Sequence, residues 1–298
     1  MKISIITPFY YGNEYLPRYQ EMMDANEQTL KERLGDEHGM EVILVNDSPD
    51  CAMRLQGIYN GRANWRMVKN KSNMGIHASR LEGLKVATGD HIMFLDQDDV
   101  ISDDAIYQFT KEAIEHPYNV IVANAVLQYG GEPALWYRTK YHKSLIGQMR
   151  AYLRIGTQII SPGQCVIPTM VIPDYWRRNI CRINGSDDYY LWLLILQNGI
   201  DFTYLDAPLY THTRTGKNLS GDTQITDQSS YEFIKLLEED EDFPQEKLYE
   251  LKRMIVYKAD FRRAGFFGKI KLSLKNFGIF MSNVFFKMRT ATPYGFNR

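Results

Sequence analysis

Three carboxylates fall within four positions in FLDQDDV (Phe94 to Val100), at Asp96, Asp98 and Asp99, directly after an apolar run. Held together they repel one another, so a fold that gathers them needs a compensating cation or a chemical use for them. Asp96 and Asp98, two residues apart, offer the hard oxygens that Mg²⁺ or Mn²⁺ takes, leaving coordination positions for water and phosphate. A solvated acidic turn is the alternative. A second acid pair, Asp187 and Asp188, follows Ser186 in NGSDDYYLWLLI. Adjacent helix residues do not face each other, so these two need not share a proton. One can face a pocket while the other pairs elsewhere, or both can be acids favoured by a helix dipole. Further on, YTHTRTGKNLS (Tyr210 to Ser220) is a basic, glycine-containing loop.

The elements that must position these groups follow from periodicity. Ile3 to Thr7, Glu41 to Asp47, Trp65 to Asn70 and His91 to Asp96 read as strands. Gly75 to Asp90 reads as a helix with Gly89 as its stop. Strands alternating with helices imply a parallel sheet with crossover helices, whose ligands bind beyond the C-terminal strand ends. Thr7-Pro8, Asp47 and Asp96 all stand at such ends, which predicts one crevice. Beyond Val100 the alternation loosens. Val120 to Gly130 and Gly163 to Ile172 read as strands, and Gly185 to Gly199 as a helix capped by Ser186. Phe202 to Gly221 reads as a strand pair followed by the basic loop. In the C-terminal KIKLSLKNFGIFMSNVFFKM, one amphipathic helix is expected. Ile270, Leu274, Phe277, Met281, Val284 and Met288 form its stripe, Lys271, Lys275 and Lys287 flank it, and Leu272, Ile279 and Phe286 lie opposite.

Composition narrows the classes. The chain has 298 residues, is 44% hydrophobic and 24% charged, and carries a formal net charge of -1, so no nucleic-acid partner is expected. Cys51, Cys165 and Cys181 form no CxxC pair and suggest neither zinc nor a disulfide framework, which fits a reducing, cytoplasmic setting. The opening MKISIITPFYY reads as a buried strand rather than a signal peptide, and no run approaches the roughly 20 apolar residues of a membrane span. The segment Glu232 to Glu250 is acidic, whereas from Lys252 to Arg298 the only acid is Asp260. Two mutually complementary helices and a membrane-surface role both fit that asymmetry.

Four segments in order, ITPFYYGNEYL, VNDS, SNMGIHASR and FLDQDD, resemble the nucleotide-binding half of the family 2 glycosyltransferases. The resemblance implies the GT-A fold: a Rossmann-like, mixed but mainly parallel sheet flanked by helices, here with a C-terminal helical extension. It implies a nucleotide-sugar half (1–115), an acceptor half (116–228) and a helical, basic extension (229–298). It also implies roles. Thr7 would contact the nucleotide, Pro8, Phe9 and Tyr10 would wall the nucleobase, and Asp47 would accept the uracil N3–H. Asn73, Gly75 and Arg80 would line the path to ribose and diphosphate, unless Arg80 is a strut pairing a strand-end Asp. Asp96 and Gln97 would contact the nucleotide and Asp98 the metal, Mn²⁺ or Mg²⁺. Asp188 matches the family's catalytic base and Asp187 the residue before it. His212 would complete the metal shell, with Arg214 and Lys217 on the diphosphate. Gly163 and Gln164 match a segment bordering donor sugar and acceptor. Trp192 is either a sugar platform or core. One departure is Tyr11, where the family usually has Asn.

The expected activity is therefore inverting sugar transfer from a nucleotide-sugar, with a UDP-sugar favoured. The acceptor would be a hydroxyl of a glycan or lipid-linked saccharide in bacterial surface polysaccharide synthesis. The C-terminal helices would contact the inner membrane face or a second copy of the chain. Two rivals remain open. FLDQDDV also fits the Asp-x-Asp-x-Val strand of haloacid-dehalogenase phosphatases, although three strand-like segments precede it here. A non-catalytic sugar-nucleotide-binding module is the other.

Overall fold

The computed structural model describes residues 1–54, 62–128, 132–213 and 222–291. The four expected strands form as β1 (Lys2–Phe9), β2 (Gly39–Asn46), β3 (Trp65–Lys69) and β4 (His91–Phe94). Helix α1 (Leu16–Leu34) joins β1 to β2, and α2 (Ile76–Val86) joins β3 to β4. Their spatial order is β3-β2-β1-β4, and every pairing among them is parallel. β1 and β2 are buried at all but their first residue, which is why they read as unbroken apolar runs. β4 pairs β1 only as far as Ile6, so Pro8 removes no ladder bond on that side. α2 ends at Val86, short of Gly89, because the Thr88 and Gly89 N–H groups turn to Glu41 and Ser4.

The second half extends the same sheet. It contains β5 (Val100–Ile101), α3 (Ala105–Glu115), β6 (Val120–Gln128), β7 (Ala134–Leu135), α4 (Lys140–Ser144) and α5 (Met149–Arg154). Then follow β8 (Cys165–Pro168), α6 (Asp174–Arg178), α7 (Asp187–Gln197) and β9 (Phe202–Thr213). The order continues β4-β8-β6-β9-β5, with β7 on the side of β6. β8 is antiparallel to both its neighbours, whereas β6 and β9 are parallel. Two expectations are corrected. The Gly163–Ile172 strand shrinks to β8, bracketed by single turns at Pro162–Gln164 and Thr169–Val171. The strand pair from Phe202 is one long strand, β9. Its Ala207-Pro208 turn signal is absorbed as bulges against Ala123 to Ala125 on β6.

Four helices complete the described chain: α8 (Thr223–Glu238), α9 (Gln245–Arg263), α10 (Phe266–Lys275) and α11 (Phe277–Thr290). Asp222 caps α8 through the Gln224 and Ile225 N–H groups. The single C-terminal helix expected from periodicity breaks at Asn276. There the side chain bonds back to the Leu272 carbonyl and accepts from Arg253, competing with the helix ladder. The far-side residues Leu272, Ile279 and Phe286 pack against the protein, so much of the predicted stripe faces out. The acidic and basic segments meet at the Lys252–Glu238 pair, whereas Glu250 of the acidic segment pairs instead with Arg154 of α5. None of the helices in the described residues is long and apolar enough to cross a membrane.

Candidate active site

The strand ends of β1, β2 and β4 and the start of α7 enclose a crevice of about 410 Å³. Pro8, Tyr10, Asp47, Asn73, Arg80, Asp96, Gln97, Asp98, Asp187, Asp188 and His212 all line it, so groups spread over two hundred residues meet at one place.

Arg80 organises the acids. It is almost wholly buried on α2, with Nη2 donating to Asp96 at 2.7 Å and Nη1 to Asp187 at 2.6 Å. Its guanidinium also lies over the Phe94 ring. Arg80 is thus a strut tying the end of β4 to the start of α7, the alternative that the sequence left open. One cation spans two acids, and this ion pair joins the two halves of the sheet.

Asp187 and Asp188 consequently diverge. Asp187 is buried and paired. Asp188 is half-buried, and its Oδ1 accepts the Tyr189 N–H at 2.8 Å. Burial, reinforced by the Asp187 charge, pushes its carboxyl up to about 7, against the lowering effect of Arg80. Ser186 stands at the N-cap, but its hydroxyl pairs with Ser230 on α8 rather than with an α7 N–H.

Asp47 is buried at the end of β2, and its carboxylate holds the loop into α2. Asn70 Nδ2 and the Met74 N–H donate to Oδ1 at 2.7 Å each, and the Gly75 N–H donates to Oδ2 at 3.0 Å. A carboxylate has about four acceptor positions, so about one stays open toward the crevice. Gly75 has φ +85, and Asn73 Oδ1 accepts from its N–H as well.

The nucleobase wall is corrected in part. Pro8 and Tyr10 line the crevice. Phe9 and Thr7 are buried and turn to Tyr19 on α1, Phe9 by an edge-on ring contact and Thr7 by a 2.7 Å hydrogen bond. Gln97 clamps the Tyr10 backbone through both amide atoms. A Cβ at Gly12 would stand 2.1 Å from Gln97 Oε1, so this clamp requires glycine there. Tyr11 takes a positive φ of 47°, a conformation Asn adopts more readily than a ring-bearing residue. It is held by Ser48 and by its hydroxyl on Asp50.

At Asp98, the expected metal ligand, Arg18 donates to the backbone carbonyl, not the carboxylate. Burial and the neighbouring Asp96 charge raise the Asp98 carboxyl above its ordinary range. Asp99 is buried and held by Ser161 and Tyr210, with its carboxyl raised by burial and by Asp96. Tyr210 also meets His212 Nδ1 at 3.2 Å.

Other expected contacts are not brought to the crevice. Gln164 is fully buried, its Oε1 on the Ile160 N–H and its Nε2 on the Ala123 carbonyl. Gly163 is buried, where a Cβ would meet Leu95 at 2.8 Å. Trp192 is core, edge-on to Phe202. Arg214 and Lys217 lie outside the described residues. The sequence reading missed Asn184, which lines the crevice and whose Oδ1 accepts the Ile76 N–H at the start of α2. It also missed Ser161, because neither residue belongs to a spacing pattern.

A second hollow, of about 190 Å³, meets the crevice at Ile160, Gly185 and Asp188. Its apolar lining is Trp136 after β7, Ile155 after α5, and Tyr189, Met254, Ile255 and Phe286 from α7, α9 and α11, alongside polar Thr226, Ser230, Lys258 and Asn283. Asp227, paired with Arg262 and Arg263, is its buried charge.

A mainly parallel first half, an antiparallel β8 and a crevice of acids at the strand ends define the GT-A fold class. The chain matches the sequence profile of "Glycosyl transferase family 2" over residues 4–176, more than half its length, and belongs to that family. It is 31% identical over 120 residues to the uncharacterized glycosyltransferase EpsJ of Bacillus subtilis, 40% of this chain and 32% of that protein. It is 21% identical over 243 residues to the poly(ribitol-phosphate) beta-N-acetylglucosaminyltransferase TarS of Staphylococcus aureus, 80% of this chain and 40% of that protein. These matches span less than half of either relative. The crystal structure of S. aureus TarS 1-349 in complex with UDP-GlcNAc superposes with a TM-score of 0.64 at 18% identity, covering 97% of this chain and 82% of that one.

Proposed function

We propose that the protein transfers a sugar, with inversion, from a UDP-sugar to a hydroxyl of a glycan or lipid-linked saccharide. The observation that carries this reading is the position of Asp188. It is the ionisable residue shared by the polar crevice and the apolar hollow, and its proton affinity suits a general base near neutral pH. The donor lies in the crevice, with its uracil N3–H on the remaining acceptor position of Asp47 and its base against Pro8 and Tyr10. The acceptor reaches Asp188 from the second hollow. Its hydroxyl proton passes to Asp188 as the oxygen attacks the anomeric carbon opposite the departing diphosphate. Arg80 acts here by fixing Asp96 and Asp187, not by touching phosphate.

Asp98 and His212 both line the crevice and are the side chains that would hold a divalent cation, Mn²⁺ or Mg²⁺. Among the described residues no three His, Cys, Asp or Glu side chains are grouped to hold one, which leaves the other positions to diphosphate and water. When bound, such a cation supplies charge neutralisation for the leaving group. The TarS relative, named for poly(ribitol-phosphate), supports a polymer acceptor of that kind.

Thermal-shift titration with UDP-, GDP- and dTDP-sugars, with and without Mn²⁺, followed by donor turnover, tests the reading. The UDP-sugar with Mn²⁺ is expected to stabilise most and to be hydrolysed slowly. Stronger stabilisation by GDP or dTDP would remove the Asp47–uracil assignment. Binding without turnover on any acceptor would leave a sugar-nucleotide-binding module. Hydrolysis of simple phosphate esters alone would favour the phosphatase rival.

A further inference from the structure

Helix α10 is unusual in this protein because none of its ten residues is buried. Leu272 packs inward, toward α9 and the core. The opposite side presents Phe266 at 74% exposure, Phe267 at 83% and Leu274 at 71%, with Ile270 between them. Phe277, Phe285 and Met288 continue the apolar surface onto α11, each about half exposed or more. Isolated exposed apolar residues need no explanation, but a contiguous row of this kind marks a surface that meets something apolar.

The charges around it indicate what that is. Residues 261–298 hold eight Lys and Arg and no Asp or Glu, in a chain whose formal net charge is -1. Lys269, Lys271, Lys275 and Lys287 have no ion pair among the described residues. Lys269 lies over the Phe261 ring, and Arg289 lies over Tyr141. Protruding aromatic and aliphatic side chains ringed by unpaired cations match the interface of an anionic bilayer, with hydrocarbon beneath and phosphate at the rim. A second copy fits less well. Packing α10 on its equivalent would set Lys269, Lys271 and Lys275 against the same residues, at a cost in like-charge repulsion.

We propose that α10 and the outer face of α11 form a docking surface for an anionic membrane, held by Phe266, Phe267, Ile270, Leu274 and Phe277 inserted among headgroups that the flanking lysines bind. Asn276 breaks the helix so that α10 can lie flat while α11 stays packed against α4 and α5. α11 also supplies Asn283, Phe286 and Lys287 to the wall of the hollow beside Asp188. The docking surface therefore shares an element with the path proposed for the acceptor. Binding to membrane stands independently of whether transfer occurs.

Flotation of the full chain with vesicles tests the proposal. Vesicles of phosphatidylcholine with about one-third phosphatidylglycerol should carry the protein, pure phosphatidylcholine vesicles should carry at least tenfold less, and high salt should weaken the binding. Phe266→Ser with Phe267→Ser should lower partitioning at least tenfold. Lys269→Gln with Lys271→Gln and Lys275→Gln should abolish the preference for the anionic lipid. Phe266, Phe267, Lys271 and Lys275 are exposed and Lys269 is partly so, and none lines the crevice, so circular dichroism and nucleotide-sugar binding in solution should match the parent. Leu274→Ser provides a second, milder apolar change with the same expected direction. Absence of wild-type flotation with the anionic vesicles, or unchanged flotation of both multiple variants, would overturn the proposal. So would a stable dimer in sedimentation equilibrium that Phe267→Ser dissolves, because the face would then be an interface between copies.

Discussion

The crevice beside Asp96 and the hollow beneath α8, α9 and α11 share Asp188, yet they are built from different materials. In the crevice, Asp47 has three donors, and Asp96 and Asp187 share Arg80. Its polar groups are fixed before any ligand arrives, which suits a diphosphate nucleotide of constant shape and charge. The hollow is walled by Ile155, Met254, Ile255 and Phe286, and its buried Asp227 is already neutralised by two arginines. The apolar part of such a wall restricts size more than it fixes hydrogen bonds, although Thr226, Ser230, Lys258 and Asn283 also line it. Asp188 sits where the regimes meet. Its neighbour takes the arginine, and it is left with a carboxyl whose charge is disfavoured. That difference between adjacent acids is why Asp188, and not Asp187, is the base in the proposed reaction.

The comparison is broken most directly at Asp188. Asp188→Asn should cut transfer by about 10²–10⁴-fold while leaving UDP-sugar affinity nearly unchanged, and near-parental turnover would remove Asp188 as the base. In the parent, kcat/KM should rise with pH through about 7, since only the ionised carboxylate accepts the proton. Stability runs the opposite way. The folded pKa lies above the unfolded one, so the contribution of the protonated group is lost as pH rises through about 7. Asp188→Asn should therefore raise Tm relative to the parent above that pH and have little effect near pH 4.

Next in size is the strut. Arg80→Met leaves buried Asp187 and half-exposed Asp96 without their cation and should cost about 3–5 kcal/mol in denaturant unfolding. A loss under about 1 kcal/mol would mean that the two halves of the sheet do not depend on it. Asp47→Ala should weaken UDP binding by about ten- to hundredfold and erase any preference over GDP in calorimetry. On the other side of the comparison, Thr226→Trp would fill the hollow. It should raise the acceptor KM roughly tenfold, about 1.4 kcal/mol, with the donor KM unchanged. An equal rise in both would merge the two regions into one site. The smallest effect is at Tyr11, where Tyr11→Asn relieves an unfavourable positive φ and should raise Tm by roughly 2 °C.

Much of the first half is legible in the chain because its signals are local. Parallel strands buried on both faces must be apolar throughout, so β1, β2 and β4 announce themselves, and polar residues at their ends announce the crevice. The second half is less legible. Pro208 signals a turn but occupies a bulge in β9, because pairing with β6 on either side outweighs the local preference. Asn276, by contrast, interrupts a periodic pattern that continues unbroken in sequence. Gln164 and Phe9 carry side chains suited to a ligand, yet burial turns both inward. No spacing rule reports which side of a strand end is already occupied.

The sequence by itself determined the family, the parallel first half and the set of acids, because each rests on neighbours a few residues apart. Only the tertiary structure decided which acid is which. Arg80 chooses Asp187 over Asp188 across 107 residues of chain, and that choice depends on how α7 lies against α2. The apolar hollow and the uncovered face of α10 are likewise properties of packed helices. They exist only once distant side chains have settled which surfaces are taken and which are left.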